Sequence, residues 1–292
     1  MTGPVLITGG AGSVGRQLVE LFSKSGTEVR VFDLPAMDFT GIEERQSVEV
    51  VKGDITDCET MARAVEGVGA VVHLAALLPP SSERDRDLTF AVNVGGAENV
   101  VAALESLNPG ATMVFTSSVS TYGDTASETP PVYTNHPQSA IDIYADSKIV
   151  GEALVRASSL KTVCLRIAGI AVPAFLAPPD VWPFMPDQRV EMVHRDDVVL
   201  ALFNSVQAPE AVGGVFNIAG GPSWQITGQD YVRDFYGVLG APTDEAVYRE
   251  SPGWVDWYDT ESSERALRYQ ERAYSDYTSE MRALVQTMMD TG

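Results

Sequence analysis

The stretch IDIYADSK places Tyr144 and Lys148 one helical turn apart, so both side chains share a face if the segment is helical. A tyrosine takes a proton from an alcohol only when its pKa falls well below its ordinary value of about 10, and a cation held beside it causes that fall. Lys148 supplies the cation. Upstream, FTSSVSTYG offers Thr116, Ser117, Ser118 and Ser120 at the end of an apolar run, hydroxyls suited to holding the oxygen of a reacting alcohol or ketone. Such a set removes a hydroxyl proton while hydride leaves the neighbouring carbon, and the hydride needs an acceptor.

A place for the acceptor is written near the start. VLITGGAGSVGRQLVE sets Gly9, Gly12 and Gly15 between an apolar strand pattern and a helical one, with Ser13 and Val14 inside the loop. Glycines here allow a tight turn and close approach to a pyrophosphate, while the helix start offers free N–H groups and a positive dipole end. The spacing is TGxxGxxG. The next strand pattern, EVRVFD, ends in Asp33, where a carboxylate hydrogen-bonds ribose hydroxyls and repels a 2′-phosphate, which favours NAD over NADP. Arg16 and Arg30 are the nearby cations that would argue the other way.

The elements that must position these groups alternate. PVLITGG, EVRVFD, VEVVKGD, GAVVHLAA and TMVFTSSV read as strands, separated by helical stretches such as GRQLVELFSKSG and GGAENVVAALESLN. That alternation predicts an α/β fold, a Rossmann-type doubly wound parallel sheet whose strands are apolar on both faces. After TVCLRIAGI a proline-rich segment interrupts it, and the tail from Pro222 is rich in Trp and Tyr. We expect a dinucleotide-binding domain over residues 1–165 and 193–220, and a small C-terminal substrate lobe from residues 166–192 and 221–292.

At 292 residues and 45% hydrophobic, the chain can bury a sizeable core. A formal charge of −20 argues against nucleic-acid and anionic-membrane partners. The chain shows neither a bilayer-length apolar run nor a leader pattern, so a cytoplasmic protein is expected. Cys58 and Cys164, and the histidines His73, His136 and His194, lack metal-ligand spacing, and no metal is expected.

Taken together, TGGAGSVG, Asp33, GDITD, HLAA, NVGGAENV, TSSVSTYG, YADSK, VHRDDVVLAL and FNIAGG resemble, in order and spacing, the extended short-chain dehydrogenase/reductase family, with its NAD-dependent epimerases and dehydratases. The resemblance implies that Asp54 and Ile55 flank the adenine, and that the backbone of Leu74, Ala75 and Ala76 lines the middle of the cofactor. It implies that Asn93 begins a helix beneath the site, where a capping role is an equal reading. Among the hydroxyls it selects Ser118 as catalytic, with Ser117 next, beside Tyr144 and Lys148. The dehydratases of the family carry an Asp-Glu pair where this chain has Val119 and Ser120, so dehydration is disfavoured. The resemblance also implies a homodimer built on the helices that follow NVGG and contain YADSK.

The short stretch between Arg166 and His194 offers only Arg189 as a basic residue, and this compact layout is similar to uronate dehydrogenases. A small carbohydrate-like substrate is therefore expected: a sugar, a sugar acid or a nucleotide sugar. Trp224, Trp254, Trp257 or Tyr258 could wall a sugar ring, although packing between lobes is the commoner fate of such residues. Epimerisation and net dehydrogenation both fit. The alternatives are a reductase of a ketone or steroid-like alcohol, kept open by the Pro, Phe and Trp residues of the 173–186 segment, and a non-catalytic dinucleotide sensor, which the intact Tyr and Lys oppose.

Overall fold

Apolar, β-branched runs with helical patterns between them have one economical solution, a parallel sheet covered on both sides. The computed structural model describes residues 3–174 and 177–291; Phe175, one of the apolar residues of the proline-rich segment, lies outside them. Strands β1 (Val5–Thr8), β2 (Val29–Asp33), β3 (Val48–Lys52), β4 (Ala70–His73), β5 (Thr112–Ser118) and β6 (Lys161–Ile167) form the sheet, and β10 (Val215–Ile218) completes it after the short strands β7 (Gly169–Ala171), β8 (Arg189–Val190) and β9 (Met192–His194). The order is β10-β6-β5-β4-β1-β2-β3, with parallel pairing throughout. The chain winds one way from β1 and the other way from β4, so a crevice opens where β1 and β4 meet at their carboxyl ends.

Helices α1 (Ser13–Lys24), α2 (Cys58–Val65), α3 (Arg86–Phe90), α4 (Gly96–Leu107), α5 (Ile143–Ala157) and α6 (Arg195–Gln207) cover the two faces. One face packs Leu18, Phe22, Val198 and Leu202 of α1 and α6 against the strands; the other packs Met61, Val100, Leu104 and Val155 of α2, α4 and α5. Each such side chain contributes about 1.5–3 kcal/mol on burial. Carboxylates fix several helix starts: Asp57 caps α2, Asp85 caps α3 and Asp142 caps α5. A second core, with Trp182, Phe184, Trp224, Tyr231 and Tyr277, is built with α7 (Gly228–Leu239) and α9 (Tyr274–Thr291); β11 (Ile226–Thr227) pairs with β8 at its edge, and α8 (Glu261–Leu267) sits beside α6. The proline-rich segment thus leads into short paired strands. No helix of the described residues is long and apolar enough to cross a membrane.

Beneath the crevice runs a buried polar strut. Arg166 of β6 donates through Nε and Nη2 to the two carboxylate oxygens of Glu152 on α5, at 3.0 and 2.6 Å. Ser117 donates to the same carboxylate at 2.9 Å. Arg166 Nη1 donates to the Tyr122 hydroxyl and to the Thr134 carbonyl, and Tyr122 donates onward to Asn217 of β10. Burial pushes the Glu152 carboxyl up, but hydrogen bonds and charge from Arg166, with Ser117, hold it below the usual carboxylate range.

Removing one partner of such a pair leaves a buried charge uncompensated. Arg166→Leu should cost about 3–5 kcal/mol in urea denaturation at pH 7. The difference from wild type should shrink as pH falls below the unfolded carboxylate value of about 4.3, because stability tied to a depressed pKa is lost as that group protonates. A cost under about 1 kcal/mol at pH 7 would show that the strut does not hold the layers together.

Candidate active site

At the carboxyl edge of the sheet lies a cavity of about 500 Å³. It brings together Gly9, Gly12, Ser13, Val14, Gly15, Leu74, Ala76, Thr116, Ser118, Tyr144 and Lys148, residues drawn from distant parts of the chain. A larger hollow of about 1010 Å³ at the opposite edge is lined by Gly67, Gly110, Lys161 and Pro209 and gathers no comparable chemistry.

The glycines are required by contact. Gly9 has φ +72°, and a Cβ there would stand 2.9 Å from the Ala75 amide nitrogen. A Cβ on Gly15 would stand 2.5 Å from the Gly9 carbonyl oxygen. α1 starts at Gly12 with no side-chain cap, so its first N–H groups and positive dipole end face the cavity, a cradle fitted to a pyrophosphate. Beside it, the Asp33 carboxylate accepts from the Ala11 and Leu34 amides, each at 2.9 Å. Arg16 is tied to the carbonyls of Ala11, Asp38 and Thr40, and Arg30 to Glu49 and the carbonyls of Ala64 and Glu66. Both cations that a 2′-phosphate would need are thereby engaged.

Other expected residues stand back from the cavity. Asp54 is exposed and accepts from the amide and hydroxyl of Thr56, while Ile55 is buried against Gly96. The Ala75 amide donates to Thr8 Oγ1, which also bonds His73 Nδ1 at 2.8 Å. Asn93 does not begin a helix: it lies inside a π turn, Ala91–Gly95, that joins α3 to α4. There its side chain accepts from the Leu77 amide and donates to the Leu77 carbonyl and Ser147 Oγ, strapping the loop after β4 to α5.

Tyr144 sits in the first turn of α5, whose start is held by two carboxylates. Asp142 Oδ1 accepts from the Ala145 amide at 2.7 Å, and Glu83, from the loop after β4, accepts from the amides of Ile143 and Tyr144 at 3.0 Å each. Lys148 is buried, donates to the Thr116 carbonyl at 2.8 Å, and lies 5.6 Å from the centre of the Tyr144 ring. Burial pulls the Lys148 ammonium down to about 8 and pushes the Tyr144 hydroxyl up, with the charge of Asp142 adding to the latter. The same burial, with Lys148 nearby, holds His73 neutral, at about 3.

The two serines differ in what their hydroxyls already do. Ser117 donates its proton to Glu152. Ser118 Oγ accepts from the Ser120 amide at 3.1 Å and the Ser120 hydroxyl at 2.9 Å, which leaves its own proton to be donated into the cavity.

Leu78, Pro79, Ile170 and Trp254 are among the other residues of the wall, as is Asp142. Of the four aromatics considered from sequence, Trp254 reaches the cavity. Trp224 is buried and donates to the Arg272 carbonyl, Trp257 donates to Ile226, and Tyr258 is buried with its hydroxyl on the Trp254 carbonyl. Glu83 and Asp142 were not singled out from sequence; Asp142, directly before the apolar helical pattern, carries a readable capping signal, whereas Glu83 acts across 60 positions.

A model of the NAD dependent epimerase/dehydratase family matches residues 5–174. The chain is 36% identical over 186 residues, 58% of its length, to a 3 beta-hydroxysteroid dehydrogenase/Delta 5-->4-isomerase of Mycobacterium tuberculosis, and covers 47% of that protein. It is 34% identical over 165 residues, 52% of its length, to a D-erythronate dehydrogenase of Cupriavidus necator, covering 49% of it. The chain therefore spans about half the length of these curated relatives. A short-chain dehydrogenase/reductase superfamily protein of Agrobacterium tumefaciens, solved with bound NAD, shares the fold at TM-score 0.81 and 23% identity, with 98% of each chain covered.

The close approach at Gly9 can be separated from the strain of a positive φ. Gly26 also has positive φ, at +79°, but open space around it, so Gly26→Ala should cost about 1–2 kcal/mol in urea denaturation. Gly9→Ala should cost more. Equal costs would show that the Ala75 backbone does not confine the loop.

Proposed function

The chain belongs to the NAD dependent epimerase/dehydratase family, and from that premise we propose that it is an NAD-dependent oxidoreductase that moves hydride between a secondary alcohol of a carbohydrate-like molecule and NAD. The observation that carries this reading is the meeting of Ser118, Tyr144 and Lys148 with the glycine loop in one cavity. NAD, when bound, takes or returns the hydride. The glycine loop and the start of α1 would hold its pyrophosphate, and Asp33 would accept from the ribose of its adenosine half.

In the oxidative direction the carbinol C–H leaves as hydride, the O–H proton goes to Tyr144, and a ketone remains. Ser118 donates a hydrogen bond to the reacting oxygen. Lys148 offsets the negative charge that forms on Tyr144, which burial opposes. Val119 and Ser120 are buried and carry no acid-base pair, so elimination of water is not part of the proposal. A second reading, reduction of a ketone or oxidation of a steroid-like alcohol, is favoured by the apolar wall and by the mycobacterial relative. We further read the protein as cytoplasmic and as a homodimer joined through α4 and α5; a monomer mass by light scattering at micromolar concentration would reject the dimer.

Absorbance of NADH on incubation with NAD and a panel of alcohols tests the central reading. Tyr144→Phe should lower the rate by about 10²–10⁴, the usual contribution of a positioned acid or base. The oxidation rate should rise with pH, since the base must be deprotonated. Asp142→Asn should move that rise to lower pH, because it removes a negative charge that lifts the Tyr144 pKa. Unchanged turnover in Tyr144→Phe would sink the assignment.

A further inference from the structure

Two helices point their starts at the cavity, and they differ. α1 starts open, with no capping side chain. α5 starts closed: Glu83 takes the Ile143 and Tyr144 amides, and Asp142 takes that of Ala145. On the substrate side those N–H groups are already taken, so α5 offers an arriving anion none of them. Asp142 itself lines the cavity, and among the described residues only its Oδ1 is engaged in a hydrogen bond, which leaves Oδ2 for a ligand.

Lys148, Arg166 and Arg189 are used elsewhere, and Arg249 stands outside the cavity lining. Besides Asp142 and Tyr144, the ionisable side chain lining the cavity is Lys148, buried and bonded to the Thr116 carbonyl. Arg166 is held by Glu152, and Arg189 by Asp256 and the carbonyls of Thr125, Ala126 and Glu128. Arg249 acts on Asp142 electrostatically but does not line the cavity. Apart from its serines and Thr116, the rest of the wall is apolar, and part of it faces solvent: Leu78 and Ile170 line the cavity while 57% and 37% exposed. Apolar side chains left in water at a cleft mouth mark surface that a ligand covers.

We infer that the substrate is an uncharged secondary alcohol or ketone with an apolar face, and that Asp142 selects it by accepting one of its hydrogen bonds and repelling phosphate and carboxylate groups. Sugar nucleotides and sugar acids are then poor ligands, which narrows the carbohydrate-like class expected from sequence. The inference rests on the hydride-transfer reading for which oxygen reacts, but charge preference is a property of binding and does not need turnover.

Calorimetry on the NADH-loaded protein with matched pairs tests it: glucuronate and its methyl ester, a 3-hydroxy bile acid and its methyl ester, and UDP-glucose beside glucose. Each neutral member should bind about tenfold tighter than its anionic partner, the factor that 1.4 kcal/mol gives. Asp142→Asn, which keeps a capping side chain, should bring each ratio close to one. Arg249→Ala should leave the preference for the neutral member in place. The inference is overturned if an anionic member binds as tightly as its neutral partner, if Asp142→Asn leaves the ratios unchanged, if Arg249→Ala selectively abolishes anion binding, or if neither ester binds at millimolar concentration. A separate absorbance assay distinguishes the two readings: ester binding without any NADH formation from NAD would sink hydride transfer and leave charge selection standing, whereas NADH formation chiefly from UDP-glucose or glucuronate would do the reverse.

Discussion

The buried pair of Arg166 and Glu152 is the interaction on which the rest of the structure depends. Glu152 belongs to the helix that carries Tyr144 and Lys148, and Arg166 to the strand beside the one that carries Ser118. Two charges out of water are costly unless each is fully hydrogen-bonded. Here Ser117, Tyr122 and the Thr134 carbonyl complete the set, and Tyr122 passes the connection to Asn217. Helix, sheet and the segment above the crevice are thus held in one register by bonds that apolar packing alone would not direct.

Above that strut the site works against its own burial. Burial of these two side chains favours neither a tyrosinate nor an ammonium, and both the rise at Tyr144 and the fall at Lys148 follow from it. Lys148 rests on the Thr116 carbonyl, a neutral partner that does not discharge it. In the proposed reaction the opposite charges of the pair would stabilise each other once Tyr144 has lost its proton.

Much of this was legible in the sequence because it depends on local spacing. The glycine loop, Asp33 and the Tyr144–Lys148 turn follow from strand and helix periods, and the crevice follows from where the winding reverses. Tertiary choices were not legible. Nothing near Trp254 in sequence distinguishes it from Trp224, yet one walls the cavity and the other fills a core. Asn93 reads as a helix start and instead occupies a π turn, because its side chain bonds the Leu77 backbone. Glu83 meets α5 only once the chain has folded. The choice between Ser117 and Ser118, left to a family pattern from sequence, becomes a question of which hydroxyl still has a proton to give.

The contact of Glu83 with α5 ties the loop after β4 to the start of the helix that carries the proposed base. That loop carries Leu78 and Pro79, which face the ligand, while its end carries the carboxylate that seats the backbone of Tyr144. The wall and the proposed catalytic residue are therefore joined through one loop. On the proposed reading, loop grafts intended to retune substrate preference in this scaffold would inherit a coupling to rate unless they keep the acid at 83.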